Sequence, residues 1–106
     1  MKIIITGATG RMGQKMQEAA RETGTEVAAL VSPDFAKTES PNYQNINEYS
    51  GTADCVVDFS NHLGTTELLD WCVKKNVPVV VATTGHTEEE KQAIETASKK
   101  IAVFYS

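Results

Sequence analysis

Seven consecutive residues near the start of the chain, Gly7-Ala8-Thr9-Gly10-Arg11-Met12-Gly13, carry three glycines at positions that suit a phosphate-binding turn. Gly7 lets the chain turn sharply out of a preceding strand. Gly10 removes a side chain where a pyrophosphate must approach the backbone, and Gly13 lets the following helix pack closely on the strand. The amides at the start of that helix then face the phosphates, and the helix dipole favours negative charge there. Arg11 is either a neighbour of the same phosphates or a solvated arginine of the helix's first turn.

Further groups fall where strands should end. The second strand runs out as Leu30-Val31-Ser32-Pro33-Asp34. A dinucleotide site usually sets an acid here to bond the adenosine ribose. The nearest acid, Asp34, comes late and beyond a proline. Ser32 is suited to a ribose hydroxyl or to a 2′-phosphate, and Lys37 lies within loop reach. Two more segments, Asp58-Phe59-Ser60-Asn61 and Ala82-Thr83-Thr84-Gly85-His86, end later strands. Thr83, Thr84 and Gly85 offer hydroxyls and amides near the expected nicotinamide ribose, and Phe59 is a candidate wall of the cofactor groove. His62 and His86 sit at the same edge. Neither has an orienting carboxylate close in sequence apart from Asp58, which is near His62. No metal-ligand spacing and no nucleophile elbow occurs.

These residues need strands and helices to position them. Lys2–Thr6 is a β-branched run with apolar residues on both faces, as in a central parallel strand. Met12, Met16, Ala19, Ala20 and Thr23 mark a helix that Gly24 closes. Glu26–Ser32 is a second strand. Residues 33–51 lack a period, with a short edge strand expected at Tyr43–Ile46 and a helical turn at Asn47–Ser50. Ala53–Ser60 is a strand, and Gly64–Lys75 a helix burying Leu68, Leu69, Cys72 and Val73 up to Asn76. Val77–Thr83 is a strand. Thr87 with Glu90 forms a capping box, and Glu95 with Lys99 an i,i+4 pair on the helix that follows. Ile101–Tyr105 is the last strand. Alternating strands and helices predict an α/β fold: a Rossmann-type doubly wound parallel sheet in three α/β/α layers, strand order 3-2-1-4-5-6.

Bulk properties narrow the function. With 106 residues, 41% hydrophobic and 23% charged, the chain is expected to be one domain, with little room for both a cofactor and a substrate site. A net charge of −4 without a basic run speaks against nucleic acid as a partner. No apolar run approaches membrane-spanning length, so no membrane partner is expected, and a cytoplasmic location is. Cys55 and Cys72 read as small buried thiols. The chain stops directly after a strand, which points to a piece of something longer.

Taken in order, GATGRMG, DFSN and VATTGHTEEEKQAI resemble dihydrodipicolinate reductases over essentially the whole chain. The resemblance implies a reductase that uses NADH or NADPH on a dihydrodipicolinate-type intermediate, on the route to diaminopimelate and lysine. By position it assigns the pyrophosphate to Gly7, Ala8, Thr9, Gly10, Arg11 and Met12. Ser32 falls where the family reads the 2′-position, with Val31 where many members have an acid. With no acid at Val31, NADPH is expected to be accepted, with little discrimination against it. Ala82, Thr83 and Thr84 are implied at the nicotinamide ribose and carboxamide, and Ser106 begins a further cofactor-contacting loop. The family's domain for a dicarboxylate substrate, which also builds its homotetramer, has no counterpart here, so this chain alone is expected to be inactive. Two other readings are a short-chain dehydrogenase-like NAD(P) sensor and a free-standing adaptor. The first does not require DFS together with ATTG at these spacings, and an adaptor need not bind NAD(P)H, so a cofactor titration separates it.

Overall fold

Residues 1–82 and 85–105 are described by the structure, a computed structural model. Six strands form one parallel sheet: β1 (Lys2–Thr6), β2 (Glu26–Val31), β3 (Asn42–Tyr43), β4 (Cys55–Asp58), β5 (Val79–Val81) and β6 (Val103–Tyr105). Their order is β3-β2-β1-β4-β5-β6, as the alternation of elements predicts. Helix α1 (Arg11–Thr23) covers one face over β1 and β2. Helices α2 (Thr65–Lys75) and α3 (Glu88–Ser98) pack together against the other. No helix among the described residues is long and apolar enough to cross a membrane.

Strand alternation feeds two cores. Ile4, Val56, Val79 and Val81 point toward α2 and α3, where Leu68, Leu69, Trp71, Cys72 and Ile94 meet them. Ile3 and Ile5 point toward α1 and meet Ala20 and Met16. Across the sheet on the α1 side, Ile5, Val57, Val80 and Phe104 form one register row. Helix α1 covers only the first part of that row. Ile5 is fully buried, Val57 and Val80 are half-buried, and Phe104 is 64% exposed.

Several expectations shift. The edge strand is Asn42–Tyr43 rather than Tyr43–Ile46, and the helical turn is Ile46–Glu48 rather than Asn47–Ser50. The cause is a local cap: the Asn45 side chain accepts from Asn47 N at 2.8 Å while Glu48 accepts from Asn45 N at 3.1 Å. That reciprocal pair starts a 3-10 turn where an extended strand would otherwise continue. The strands predicted at Ala53–Ser60 and Ile101–Tyr105 shorten to Cys55–Asp58 and Val103–Tyr105. A 3-10 turn at His62–Gly64 precedes α2, whose left-handed cap is Asn76, φ 56°. Val73 is only partly buried, while Trp71 of the same helix is buried.

On α1 the inward residues are Gly13 and Ala20, with Met16 packed beside them, so Met12 faces outward and is 53% exposed. The helix rotates because Gly13 must touch the glycine turn. On α3 the ion pair is Lys91 with Glu88 at 3.7 Å. Glu95 and Lys99 make none, since the helix ends at Ser98 and Lys99 is already its cap.

Candidate functional site

β1 and β4 lie side by side, yet the chain leaves them toward opposite edges of the sheet. Crevices form at the strand C-terminal ends of such a switch point. Thr6 ends β1, and Phe59 N donates to its carbonyl at 3.1 Å, bringing the exit of β4 against the glycine turn. Gly7 then turns with φ +67°. A Cβ there would meet the Phe59 carbonyl carbon and oxygen at 2.4 Å, so only glycine passes. Gly13 is equally tight: its Cβ would sit 2.2 Å from the Gly7 carbonyl oxygen and 2.8 Å from Ala8 Cα.

Gly10 differs from both. It is the N-cap of α1 in extended conformation (φ −76°, ψ 170°), and a Cβ there would have one neighbour within 4 Å among the described residues, the Gly7 oxygen at 3.4 Å. The glycine leaves open space, not a tight contact. It also provides no capping side chain, and no acid stands in the first turn of α1. The N–H groups of Arg11, Met12 and Gly13 therefore have no partner among the described residues. Unpaired amides at a helix N-terminus attract an anion through hydrogen bonding and through the helix dipole.

Two cavities meet at Gly7. One of about 260 Å³ lies over Gly10, Arg11, Met12, Phe59 and Ala82. The other, about 270 Å³, lies between the exit of β2 (Val31, Pro33), Ile46, the exit of β4 (Ser60, Asn61) and Leu68 of α2. The pair gives the turn a groove on either side, the shape required by a ligand with its phosphates at the centre. Gly7, Gly10, Arg11, Met12, Phe59 and Ala82 thus line one cavity.

Ala8 and Ser32 do not join that surface. Ala8 is buried, and its N–H donates to Val31 O at 3.1 Å, so it supplies packing and no free amide. Ser32 is 1% exposed. Its Oγ lies 2.7 Å from Thr9 Oγ1 and accepts from Asp34 N at 3.1 Å. The Thr9 hydroxyl donates to Asp34 Oδ2 at 3.1 Å, and a hydroxyl has one proton, so Ser32 donates to Thr9. Ser32 thus braces the turn from beneath, and Asp34 is the exposed polar group at the exit of β2. Gln14 and Gln17 of α1 add two further braces, donating to Thr9 O at 2.9 Å and Ala8 O at 3.0 Å. Sequence reasoning missed both glutamines, since nothing in their spacing distinguishes them from solvated helix residues. Thr83, Thr84 and Ser106 lie outside the described residues.

The carboxylates near the two histidines have separate partners. Asp58, fully buried, does not orient His62. Its Oδ1 accepts from Thr6 Oγ1 at 2.6 Å and from Ser60 N at 2.9 Å, tying the ends of β1 and β4 together. His62 is oriented by Glu90, 28 residues away, with Nδ1 2.8 Å from Oε1. The same oxygen accepts from Thr87 N at 2.8 Å, completing the predicted capping box. Cys72 is buried and its thiol is pushed up to about 12, chiefly by desolvation, which leaves it inert; Cys55 is half-buried.

The Thr87 backbone N–H, and after it His62, hold the Glu90 carboxyl below the usual glutamate range. A folded-state pKa below the unfolded one stabilises the fold above the unfolded value, and that contribution disappears as pH falls through the folded value. The thermal midpoint of a Glu90→Gln chain is therefore expected to lie below the parent's near neutral pH and to converge with it in acid. Melting curves across the acid limb check this, and a constant gap at every pH would refute it.

The family model for the N-terminus of dihydrodipicolinate reductase matches residues 1–106. The 4-hydroxy-tetrahydrodipicolinate reductase of Caldanaerobacter subterraneus subsp. tengcongensis is 38% identical over 107 residues, covering all of this chain and 43% of the relative. That of an Exiguobacterium species is 40% identical over 106 residues, covering 100% and 41%. Among solved structures, a dipicolinate-bound dihydrodipicolinate reductase from Paenisporosarcina sp. TG-14 superposes with a TM-score of 0.81 at 21% identity, over all of this chain and 46% of that one. The chain thus spans less than half the length of these relatives.

Proposed function

From the premise that this chain belongs to the dihydrodipicolinate reductase family, as its N-terminal part, we propose that it is the nicotinamide-dinucleotide platform of such a reductase. The observation that carries the reading is Gly10: an open N-cap beside three amides that have no partner among the described residues, between two glycines that admit no side chain. A pyrophosphate fits where a Cβ at Gly10 would otherwise stand. When bound, the dinucleotide supplies the hydride. The chain's residues bind and orient it. Arg11, Met12 and Gly13 take the phosphates, the cavity beside Val31 and Leu68 takes the adenosine half, and Phe59 with Ala82 lines the nicotinamide half. The acceptor is a dihydrodipicolinate-type dicarboxylate of the route to diaminopimelate and lysine. The parent protein supplies its substrate domain and tetramer contacts.

NADH titrated into this chain, followed by cofactor fluorescence, tests the platform. Absence of saturable binding overturns it. Hydride transfer also needs the acceptor carbon held about 3–3.5 Å from the nicotinamide. A dicarboxylate also calls for a cluster of cationic donors. Cofactor oxidation in the presence of fresh dehydratase product is therefore expected from the full-length parent and not from this chain.

The cofactor itself is NADH in preference to NADPH, and Asp34 is the reason. Thr9 donates to its carboxylate and Ser32 Oγ accepts from its backbone N–H, which keeps Asp34 against the glycine turn on the β2 side, where the adenosine ribose belongs. This gives Asp34 the role expected of an acid at Val31, in place of the expectation that NADPH is readily accepted. Two unit charges 4 Å apart in water repel by about 1 kcal/mol, and a phosphate monoester carries nearly twice that charge, so discrimination of roughly ten- to thirtyfold is expected. Asp34→Asn should remove most of it, mainly by raising NADPH affinity. Paired titrations of both cofactors against both chains provide the check; an unchanged affinity ratio would rule Asp34 out.

A further inference from the structure

The cavity on the β2 side of the glycine turn has apolar walls and a polar rim. Val31, Ile46 and Leu68 are buried and give it surfaces suited to the faces of a flat ring. Glu67, on the first turn of α2, is exposed and lines the same cavity, as does Asn45. One carboxylate oxygen of Glu67, Oε1, accepts from Asn45 Nδ2 at 2.7 Å and from Asn47 Nδ2 at 2.9 Å. The other, Oε2, has no partner among the described residues.

The Asn45 amide is fixed in one orientation. Its Oδ1 accepts from Asn47 N and caps the 3-10 turn, so its NH2 group is the one given to Glu67. Two amides from the 3-10 turn thus hold one oxygen of the carboxylate, and the second oxygen remains as an acceptor. Asn61 brings a group of the opposite kind. Its Oδ1 accepts from Leu63 N at 2.9 Å, which leaves its NH2 group as a donor at the same cavity. A 6-aminopurine carries a donor at its amino group and acceptors at its ring nitrogens, whereas a 6-oxopurine carries an acceptor in place of the amino group.

We infer that Glu67 selects the base of the dinucleotide: its Oε2 accepts from the 6-amino group of adenine and rejects a 6-oxopurine. The inference rests on the dinucleotide reading above, which puts the adenosine half in this cavity. A base seated there takes water away from Oε2, and an acceptor that loses water needs a donor from the ligand. Adenine supplies one. Hypoxanthine sets its carbonyl oxygen against the carboxylate, so that two acceptors face each other. If Glu67 only tied the 3-10 turn to α2, any loss on replacing it would fall equally on both bases.

NADH and its hypoxanthine analogue, in which oxygen replaces the 6-amino group, are titrated by calorimetry into the parent, Glu67→Gln and Glu67→Ala chains. Both substitutions change an exposed side chain and leave the core untouched. The parent should bind NADH about tenfold more tightly than the analogue, the order expected for one hydrogen bond to a charged group. Glutamine keeps an oxygen for Asn45 and Asn47 and turns an NH2 group to the base, so Glu67→Gln should favour the analogue by about threefold. Alanine offers neither group, and its ratio should lie within about twofold of unity. A parent that binds the two dinucleotides equally, or a preference that both variants retain, overturns the inference. A parent chain that binds neither ligand overturns the dinucleotide reading itself, and the role of Glu67 with it.

Discussion

A Gly10→Val chain is expected to fold and to lose NADH binding by more than about a hundredfold, equivalent to roughly 2.7 kcal/mol. The two halves of that result have separate causes. The backbone at Gly10 is extended, a conformation open to a β-branched residue, and the nearest atom to a new Cβ is an ordinary 3.4 Å away. Exchanging a favourable N-cap glycine for an aliphatic residue costs on the order of 1 kcal/mol, which a domain with 5–15 kcal/mol of stability tolerates. The isopropyl group, however, would stand in front of the Arg11, Met12 and Gly13 amides. Denaturant unfolding and NADH titration on the same preparation measure both halves. A valine variant that binds as the parent does would remove the pyrophosphate from this turn.

Gly13→Ala should give the reverse pattern, with the fold failing before the chemistry. A methyl at this position meets the Gly7 carbonyl oxygen at 2.2 Å and Ala8 at 2.8 Å, and both are backbone atoms that no rotamer change moves away. Helix α1 must shift off the turn, which strains the Gln14 and Gln17 braces. Overpacking a tight core costs 1–3 kcal/mol and sometimes more, and here about 3 kcal/mol or more is expected because the obstruction is main chain. The urea midpoint should fall sharply with an unchanged slope. A midpoint within error of the parent would show that α1 can slide freely, and that the close packing has no structural weight.

What the sequence reveals and what it hides follow from distance along the chain. The run KIIIT followed by GATGRMG has one economical solution, a buried strand, a tight turn and a helix pressed against it, and the structure has that solution. Strand order follows because parallel crossovers are right-handed. By contrast, His62 meets Glu90 across 28 residues and Thr9 meets Ser32 across 23. Hydrophobic period and turn chemistry say nothing about such pairs. The same limit explains why Ser32 looks like a ligand-reading residue in sequence and proves to be a buried brace. The strand at Tyr43–Ile46 fails for the opposite reason: Asn45 and Glu48 sit three apart, and their mutual cap is a local signal that overrides a weak strand. Met12 shows how one steric demand, the contact of Gly13 with the turn, rotates a helix whose apolar residues alone would have set it differently.

The register row from Ile5 through Val57 and Val80 to Phe104 becomes more exposed away from α1. The apolar area resisting local opening is therefore large at β1. Gly7 and Gly13 stand just beyond that buried strand, pressed against main-chain atoms, so the backbone around Gly10 already holds its shape in the free chain, and an anion arriving there would find its donors preorganised.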